Sequence, residues 1–417
     1  MHRIPYRVTA DKRYEGLILH YYRSLFSLTL IAYGASFLGT GIALVMNQGW
    51  QLARTPLLGW PEKDDFKWFE TALPEPGPGQ ALTETLYLSM DPYQWGRRRS
   101  GVETPGDVCH GRTVSRVLIS HHQTFTHGDY VFNTNGWQSH GLIGDGIDIF
   151  GYMAPRQLDP AKAPISTAIG VLGMLGLTAW SGMKVQCAPQ PGETVVVSAA
   201  SGGVGQIAGQ IARMLGCRVI GIAGAKHKCQ FVSTELGFDE CVSHLSEDLP
   251  GDLRTACPDG IDVYFENVGG LVFEAVAPLL NKNARISLCG IISQYSNTDG
   301  GDTRAAWNDI GAPWLSRQDV KVNGLFVGDF VDNEQEIFLD TMSGWIRDGH
   351  VRYKEDLWDG LPKAPSAFMA MLKGGNFGKT LVAVGKDPTA DADIIASRSG
   401  TNVLSAHQAN PSRGSRK

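Results

Sequence analysis

The sequence predicts an α/β fold with a doubly wound parallel sheet and a second, antiparallel β-barrel-like domain. Residues 194–237 support the first part, because a strand, a glycine-rich loop, a helix and a second strand follow one another there. Residues 48–164 support the second part, since short alternating segments are separated there by turn residues. The chain has 417 residues, which is enough for two domains of roughly 150 residues each.

Composition narrows the classes of protein to which the chain can belong. It is 43% hydrophobic and 19% charged with a net charge of −5, which is typical of a globular protein and gives no electrostatic reason to expect nucleic acid. The 7 cysteines are scattered, odd in number and without a CxxC pair. Neither a disulfide framework nor a structural zinc site is indicated, and we expect a reducing compartment.

Residues 1–45 form an N-terminal extension with three open interpretations. Residues 24–46 carry no charge and follow several basic residues, so on length they could anchor the chain in a membrane. Their apolarity is moderate, and no A-x-A cleavage site follows them. A non-native or dispensable extension, such as an upstream start, and a helix packed on the domain are the alternatives. Membrane contact is expected only if residues 24–46 are an anchor.

Residues 46–164 are expected to form most of the antiparallel domain. Ala81–Leu88 and Arg112–Ile119 are strand-like, and the proline- and glycine-rich run at Pro74–Gly79 marks a turn. Ile165–Trp180 is apolar and long enough for a single helix, which leads into the doubly wound domain at residues 165–330.

The glycine-rich loop Ala200–Gly205 is the most informative motif. It follows the β-branched run Thr194–Val197 and opens an amphipathic helix, the context in which such a loop predicts a Rossmann dinucleotide site. Gly202 lets the backbone approach a pyrophosphate, and Gly205 lets the helix pack closely on the strand. A plain strand–helix packing turn is the alternative. The residues expected at the phosphates, where the helix N-terminus offers N–H groups, are Ala200, Gly202, Gly203, Val204 and Gly205.

The second strand of this unit, Arg218–Ala223, indicates which dinucleotide binds. An NAD site uses an acidic residue near the end of this strand to bind the ribose 2′-hydroxyl. No acidic residue occurs at positions 216–228. The small Gly224 leaves room for a 2′-phosphate, and Lys226 and Lys228 supply positive charge. The sequence therefore favours NADP over NAD.

The remaining segments continue the doubly wound pattern and then return to the first domain. We interpret residues 293–314 as a polar, mobile loop over the site. Residues 331–386 complete the antiparallel domain, and residues 387–417 are expected to be a disordered tail. The predicted elements are strands at Ile261–Glu266, Ala284–Gly290, Val320–Phe330 and Thr380–Val384, and helices at Leu271–Leu280, Glu334–Gly349 and Pro362–Lys373.

The chain resembles the zinc-independent branch of the medium-chain dehydrogenase/reductase superfamily. It is most similar there to NADPH-dependent alkenal/alkenone reductases, the group of the prostaglandin and curcumin reductases. The resemblance covers roughly residues 47–386 and implies a GroES-like catalytic domain, a Rossmann domain, a cytoplasmic location and a homodimer. The matching segments are Leu73–Pro76, Leu86–Tyr93, Gly170–Trp180, the glycine-rich loop, Tyr264–Gly270, Cys289–Tyr295 and Asn376–Thr380.

The resemblance also implies which residues form the site. Tyr93 and Tyr295 occupy positions of site tyrosines, with Tyr295 favoured as proton donor or oxyanion partner and the cofactor ribose and water as competitors. A tyrosine hydroxyl suits this role because it donates a hydrogen bond without carrying charge at neutral pH. Lys379 is a weaker candidate, because lysines commonly lie on solvated faces. The implied cofactor residues are Thr178, Gly224, Lys228, His244, Asn267 and Asn376.

Two departures from the family pattern bear on specificity. Gln94-Trp95 follows the site tyrosine where Met-Arg is common, so substrate preference is open. His244 replaces a common tyrosine near the adenine phosphate, and we hypothesise that it makes NADPH affinity depend on pH. Zinc-dependent relatives use Cys and Gly-His-Glu ligands, whereas this chain offers only Cys109-His110. Because catalytic zinc needs three protein ligands, no metal is expected.

The predicted reaction is the NADPH-dependent reduction of the C=C bond of α,β-unsaturated aldehydes or ketones. Hydride goes to the β-carbon, and hydrogen-bond donors hold the carbonyl oxygen as it becomes anionic. An NADPH quinone reductase and a non-catalytic NADPH-binding protein are the alternatives. The expected partner is a small-molecule substrate: an enone, an alkenal or a quinone.

Overall fold

A computed structural model describes residues 45–55, 59–148, 154–297 and 303–390. The chain divides into two units, Met1–Met46 and Asn47–Lys417, and nearly all of the described residues belong to the second. The predictions for residues 1–44 and 391–417 lie outside the described residues and stay predictions. The first residues of the predicted disordered tail are instead structured, because Pro388–Ala390 form a 3₁₀ turn and Asp387 accepts a hydrogen bond from the Tyr87 hydroxyl at 3.0 Å. Within the described part of the chain, no helix is long and apolar enough to cross a membrane.

Fifteen strands and nine α-helices are described in these ranges. The strands are Met46–Leu52 (β1), Phe66–Ala72 (β2), Gln80–Ser89 (β3), Thr113–Ser120 (β4), Tyr130–Asn133 (β5), His140–Gly144 (β6), Arg156–Leu158 (β7), Thr194–Ser198 (β8), Arg218–Ala223 (β9), Glu240–Ser243 (β10), Ile261–Glu266 (β11), Leu280–Leu288 (β12), Lys321–Gly324 (β13), Glu355–Asp359 (β14) and Lys379–Ala383 (β15). The helices are Tyr93–Arg99 (α1), Met174–Trp180 (α2), Gly205–Met214 (α3), Lys226–Thr234 (α4), Leu249–Ala256 (α5), Gly270–Val276 (α6), Thr303–Arg317 (α7), Val331–Arg347 (α8) and Ala364–Leu372 (α9).

One sheet has six parallel strands in the order β10-β9-β8-β11-β12-β13. This is the order of a doubly wound Rossmann sheet, so the predicted fold class is confirmed. The central strand β8 is buried along its whole length, as a parallel strand covered by helices on both faces must be. Its run of β-branched valines suits that position because branched side chains pack well on a pleated surface.

The other large sheet is mainly antiparallel and gathers strands from both ends of the described chain. Its order is β14-β15-β3-β4-β5-β7, with β6 also paired to β3. The pair β14–β15 is parallel, and the other pairs are antiparallel. The predicted last strand therefore does return to the first domain. It pairs with β3, Leu381 opposite Ser89.

The single helix predicted at Ile165–Trp180 is wrong. A 3₁₀ turn covers Ile165–Ile169, and the α-helix begins only at Met174. A Cβ atom at Gly176 would lie 1.9 Å from the Val171 carbonyl oxygen, so the chain folds back tightly on itself between the two turns. The glycines of this segment allow the break.

Two predictions after the fourth strand of the Rossmann sheet are also wrong. The strand predicted at Val320–Phe330 is short, because β13 ends at Gly324 and a 3₁₀ turn follows at Val327–Phe330. Most of the predicted polar loop is the helix α7, although residues 298–302 lie outside the described ranges. This helix buries the side chain of Trp307, which stacks on Phe273 at 4.2 Å between ring centroids. One buried aromatic residue was too weak a signal to predict a helix.

The two sheets share a continuous apolar core, which fixes the cleft between them. Leu86 of β3 and Val195 of β8 belong to one buried cluster that also contains Trp180. Two buried glutamines of α3 add hydrogen bonds across this boundary. Gln206 binds the backbone of Lys354, and Gln210 binds that of Arg352, the segment that leads into β14.

Candidate active site

A cleft of about 700 Å³ lies between the two sheets, at the carboxyl ends of the parallel strands. Ligands of open parallel sheets bind at such an edge. Nearly all residues predicted from the sequence line it. They are Tyr93, Thr178, Gly202, Gly203, Val204, Gly205, Gly224, Lys228, His244, Asn267, Tyr295 and Asn376.

The glycine-rich loop turns tightly between β8 and α3. Ala199 adopts a left-handed backbone conformation with φ 48°, which starts the turn. A Cβ atom at Gly205 would lie 2.3 Å from the Ala199 carbonyl oxygen, and one at Gly203 would lie 2.3 Å from Cδ2 of Leu175. The close approach of helix and strand therefore requires glycine at position 205.

This turn places the backbone of Gly203, Val204 and Gly205 at the cleft. Within the described residues, no carbonyl oxygen accepts a hydrogen bond from the N–H of Val204 or Gly205, whereas the loop backbone at Gly202 forms an isolated parallel bridge with Gly378. All three residues line the cleft at the N-terminus of α3. Unpaired N–H groups and the positive end of the helix dipole favour an anionic phosphate there.

Ala200, also predicted to contact the cofactor, does not line the cleft. It is fully buried and its N–H donates to the Ile222 carbonyl oxygen at 2.9 Å. Its methyl group lies only 2.9 Å from the position of a Cβ at Gly221, so it packs against β9. Its neighbours Ala199 and Ser201 line the cleft instead.

The end of β9 provides a second anion site. Gly224 faces His244, whose Nε2 lies 3.4 Å from the position of a Cβ at residue 224. Lys228 Nζ donates to the Gly374 carbonyl oxygen at 2.9 Å, which holds the ammonium group at the cleft. Lys226 is exposed and does not line the cleft. Of the two lysines predicted to supply charge, only Lys228 is placed to do so.

Burial sets the protonation of His244. Desolvation, with a smaller contribution from Lys228, lowers the pKa of its imidazole below the ordinary value of 6.5. The side chain is therefore neutral at physiological pH while no anion lies beside it. A phosphate group there would favour the protonated form.

Three further predicted residues are held at the cleft wall by hydrogen bonds. Thr178 Oγ1 donates to the Met174 carbonyl oxygen at 2.7 Å, and Asn267 Nδ2 donates to the Ser198 carbonyl oxygen at 2.7 Å. Asn376 Nδ2 donates to the Gly378 carbonyl oxygen at 2.8 Å. Each side chain amide or hydroxyl is thus fixed in direction.

Glu266 holds this wall together by hydrogen bonds, although it was not predicted from the sequence. Its side chain is fully buried, and its Oε1 accepts from the N–H groups of Val268 and Gly269 at 2.8 and 3.0 Å. Trp307 Nε1 donates to the other carboxylate oxygen at 3.0 Å. An acidic residue at the end of a mostly apolar strand was the signal that could have revealed it.

At the opposite end of the cleft, Tyr93 lies in a network of side chains. Its hydroxyl oxygen accepts from Arg112 Nη1 at 2.5 Å and lies 2.7 Å from His110 Nε2. Burial and the charges of Arg112, Arg97 and Arg98 lower the pKa of His110 to about 2, so its imidazole is neutral. The sequence analysis considered His110 only as a zinc ligand.

Tyr295 lines the same cleft from the loop after β12. Its hydroxyl oxygen lies 3.3 Å from the position of a Cβ at Gly290, and burial raises its pKa above 10.0. The phenol is therefore protonated at neutral pH and can donate. Arg99 holds this loop, donating from Nη1 to the Tyr295 carbonyl oxygen at 2.5 Å and from Nη2 to that of Asn297 at 3.0 Å.

Lys379 is buried, contrary to the interpretation of a solvated lysine. It is 4% exposed and lines the cleft, with Nζ 2.6 Å from the Met90 carbonyl oxygen and 2.7 Å from Asp91 Oδ1. Desolvation lowers its pKa, and Asp91 partly offsets this. The pair joins β15 to the turn before α1, and so helps to position Tyr93.

The cleft has no features of a zinc site. No group of three or more His, Cys, Asp or Glu side chains that could hold a metal occurs within residues 45–55, 59–148, 154–297 and 303–390. Burial raises the pKa of the Cys109 thiol to about 11, which disfavours the thiolate that binds metal. His110, its neighbour, contacts Tyr93 instead.

The residues present fit a phosphorylated dinucleotide. Open N–H groups at Val204 and Gly205 suit a pyrophosphate, and Lys228 with His244 suits a further phosphate beyond the end of β9. The apolar space between them leads to the tyrosine end, where hydroxyl donors face the cleft. Such an arrangement can hold a cofactor against a small carbonyl compound.

Comparisons with known proteins agree with this geometry. One family model, described as an N-terminal domain of oxidoreductase, matches residues 48–150, and another, described as a zinc-binding dehydrogenase, matches residues 203–343. The chain is 40% identical over 347 residues to the NADPH-dependent curcumin reductase of Escherichia coli (strain K12), covering 82% of this chain and 98% of that protein.

A second relative and a solved structure extend this similarity. The 2-alkenal reductase (NADP(+)-dependent) of Nicotiana tabacum is 36% identical over 342 residues, covering 79% of this chain and 95% of that protein. The crystal structure of CurA in complex with NADPH from Vibrio vulnificus is 40% identical in sequence and has a TM-score of 0.74. The match covers 82% of this chain and 100% of the CurA chain. The similarity therefore spans both sheets and the cleft between them.

Proposed function

The chain belongs to the zinc-independent branch of the medium-chain dehydrogenase/reductase superfamily, and on that premise we propose that it reduces the C=C bond of α,β-unsaturated aldehydes or ketones with NADPH. One observation supports this most: an anion-binding turn and the paired tyrosines line the same cleft. The names of the relatives indicate the same chemistry and do not favour quinone reduction.

The cofactor would be held mainly by backbone. Val204 and Gly205 donate N–H groups to the pyrophosphate, while Lys228 and His244 contact the 2′-phosphate. Thr178, Asn267 and Asn376 support the nicotinamide and ribose end from three different segments. When bound, NADPH supplies the hydride for the β-carbon of the substrate.

The tyrosines act on the substrate itself. Tyr93 donates a hydrogen bond to the carbonyl oxygen, which becomes anionic as the β-carbon is reduced. Tyr295 gives its proton to the α-carbon and recovers one from water, so the saturated carbonyl compound leaves. The apolar side chains that line the cleft exclude other water from the reacting carbons.

A substrate panel tests this function. The full chain is purified and mixed with NADPH or NADH, and absorbance is followed after addition of a short enone, an alkenal or a quinone. We expect oxidation of NADPH with the enone and the alkenal, and a much weaker reaction with NADH. Turnover of the quinone alone would replace this function by quinone reduction, and no turnover with any substrate would leave only NADPH binding.

A variant of Tyr295 tests the role of this residue in the reaction. Tyr295→Phe should lower kcat by about 100-fold, the effect of removing one donor or acid. Tyr130→Phe is a matched control, since this half-buried tyrosine lies on β5 and does not line the cleft. Full activity of Tyr295→Phe would remove that residue from the mechanism and leave water or the cofactor ribose as the proton source.

We further infer the organisation and setting of the enzyme. Residues 46–164 and 331–386 form the catalytic domain and residues 165–330 the nucleotide-binding domain; the pairing of β15 with β3 supports this division. The enzyme is a cytoplasmic homodimer with a small-molecule substrate. Light scattering of the purified chain tests the dimer, and a monomer at micromolar concentration would contradict it. Cell fractionation tests the location.

A further inference from the structure

Three polar side chains converge at the substrate end of the cleft. Arg112 is 3% exposed, yet it lines the cleft and donates to the Tyr93 hydroxyl oxygen at 2.5 Å. His110 is also 3% exposed, and its Nε2 lies 2.7 Å from the same oxygen. Both side chains come from the segment just before β4, and Tyr93 comes from the start of α1.

The number of protons shared by Arg112, His110 and the Tyr93 hydroxyl decides whether Tyr93 can donate to a ligand. A guanidinium group has only donors, so Arg112 occupies one lone pair of the Tyr93 oxygen. A neutral imidazole carries one N–H, on either nitrogen. If the Tyr93 O–H donates to Nε2, no proton remains for a ligand. If the N–H on Nε2 donates to Tyr93, both lone pairs are filled and the O–H points into the cleft.

We propose that Arg112 and His110 are positioning residues that act through Tyr93, filling both lone pairs of its hydroxyl oxygen so that its single proton is directed at the carbonyl oxygen of the substrate. This inference rests on the proposed function and adds two residues to it. Arg112 provides the fixed charged donor, and His110, in the tautomer protonated on Nε2, provides the neutral one.

The surroundings suit this arrangement. Arg98 Nη2 donates to the His110 carbonyl oxygen at 3.3 Å, and Glu103 Oε2 accepts from the His110 N–H at 3.1 Å, so the backbone of His110 is held on both sides. Burial, and after it the neighbouring cations Arg112, Arg97 and Arg98, lower the pKa of this imidazole to about 2, so it is neutral. A hydrogen bond from a cation polarises a hydroxyl group and makes its proton a stronger donor. The arrangement thus makes the Tyr93 O–H a stronger hydrogen-bond donor to the carbonyl oxygen of the substrate, where negative charge develops.

A double-mutant cycle separates action through Tyr93 from a merely structural role. The variants are Tyr93→Phe, Arg112→Leu and the two combined, each measured with a short enone and NADPH. We expect kcat to fall about 100-fold for Tyr93→Phe and about 10-fold for Arg112→Leu, with KM nearly unchanged. The combined variant should be no slower than Tyr93→Phe alone, because Arg112 acts through the Tyr93 hydroxyl and that group is already absent. Multiplying effects would overturn the proposal.

Three controls accompany the cycle. Arg112→Lys should recover part of the lost kcat, because it restores a cationic donor. Arg156→Leu removes a partly buried arginine, which donates to the Leu172 carbonyl oxygen and does not line the cleft, so it should lower stability without a specific loss of kcat. His110→Gln keeps an N–H donor and should stay close to the wild-type kcat, whereas His110→Leu should lose about 10-fold.

A spectroscopic measurement tests the tautomer without turnover. ¹⁵N-histidine is incorporated into the full chain, and the His110 nitrogens are assigned by comparison with His110→Gln. With cyclohexanone as carbonyl probe, we expect Nε2 to carry the proton. A protonated Nδ1 with the probe at saturation would overturn the proposal, even if enone reduction is observed. Conversely, if Nε2 is protonated but the enzyme does not reduce the enone, the proposed function is refuted while the hydrogen-bond arrangement around Tyr93 is supported.

Discussion

The two halves of the cleft are built in different ways. Around Gly203–Gly205 the cleft is lined by backbone N–H groups in a tight turn. Around Tyr93 it is lined by a hydroxyl group that contacts charged and polar side chains, and Lys379 there pairs with Asp91. Backbone dipoles do not titrate, whereas each buried charge depends on its partner. The first half should therefore be sensitive to added volume and the second to lost charge.

The largest expected effect is in the half made of side chains. Lys379→Met leaves Asp91 buried without its cation, and removal of one partner from a buried pair costs about 3–5 kcal/mol. Denaturation by urea measures the loss. Asp91→Asn in the same chain should recover part of it, and Lys363→Met, an exposed lysine, is the matched control with little effect. An equal stability for Lys379→Met and Lys363→Met would contradict the distinction between the halves.

A pH effect follows from Glu355, which pairs in register with Lys379 on the neighbouring strand. Burial raises its pKa from 4.5 to about 7, with Ser166 and Lys379 partly offsetting the rise. Because the folded state holds this proton more tightly, the stabilisation is complete below about pH 4.5 and is lost as pH rises through 7.

Glu355→Gln should remove this dependence. Above pH 7 the variant should be more stable than the wild type, by at most about 3 kcal/mol. Urea titrations at several pH values between 4.5 and 8 measure the difference. Glu336→Gln, which removes an exposed carboxyl group on α8, is a suitable control. If the two variants follow the same pH curve, Glu355 is not protonated in the fold.

An added side chain at Gly205 tests the half of the cleft that is built from backbone. Gly205→Ala places a Cβ atom 2.3 Å from the Ala199 carbonyl oxygen, so helix and loop must move apart. We expect a loss of about 2 kcal/mol in stability and at least a 10-fold loss in NADPH affinity by fluorescence titration. Gly344→Ala, in the last turn of α8 where a Cβ atom meets only Arg347 Nη2 at 3.7 Å, should instead be neutral or slightly stabilising. Unchanged NADPH binding in Gly205→Ala would place the phosphates elsewhere.

The smallest effect concerns the one part of the backbone half that is expected to titrate. His244 is neutral in the absence of an anion, because burial lowers its pKa, and a bound phosphate favours its protonated form. NADPH should therefore bind several-fold more tightly at pH 5.5 than at pH 8, while NADH affinity stays constant. His244→Gln should abolish the difference and the exposed His227→Gln should keep it. A flat NADPH curve for the wild type would exclude His244 from the phosphate site.

Local signals explain what the sequence could predict. The strands β8, β9 and β11 are short and mostly apolar, and the glycine-rich loop lies wholly between two of them, so neighbouring residues alone specify the fold class and the phosphate turn. The break before α2 depends on the Val171 carbonyl oxygen approaching Gly176, a contact that composition does not reveal. A helix was expected where the chain instead makes two turns.

Contacts between distant residues explain what it could not predict. Lys379 and Asp91 are 288 positions apart, so no local pattern links the lysine to its partner. Arg112 and Tyr93 are 19 positions apart on different elements. Tyr93 was predicted as a site residue, whereas Lys379 was interpreted as a surface lysine and the neighbours of Arg112, Cys109-His110, only as a rejected metal motif. The packing of the two sheets brings Lys379 and Arg112 to the same end of the cleft as Tyr93.

Arg99 has a consequence for how wide the cleft can become. It is on the helix that begins with Tyr93, and its two hydrogen bonds hold the backbone at Tyr295 and Asn297. One side chain therefore ties the helix that carries Tyr93 to the loop that carries Tyr295. A movement of these two segments away from each other breaks both hydrogen bonds, so Arg99 opposes widening of the cleft at this end.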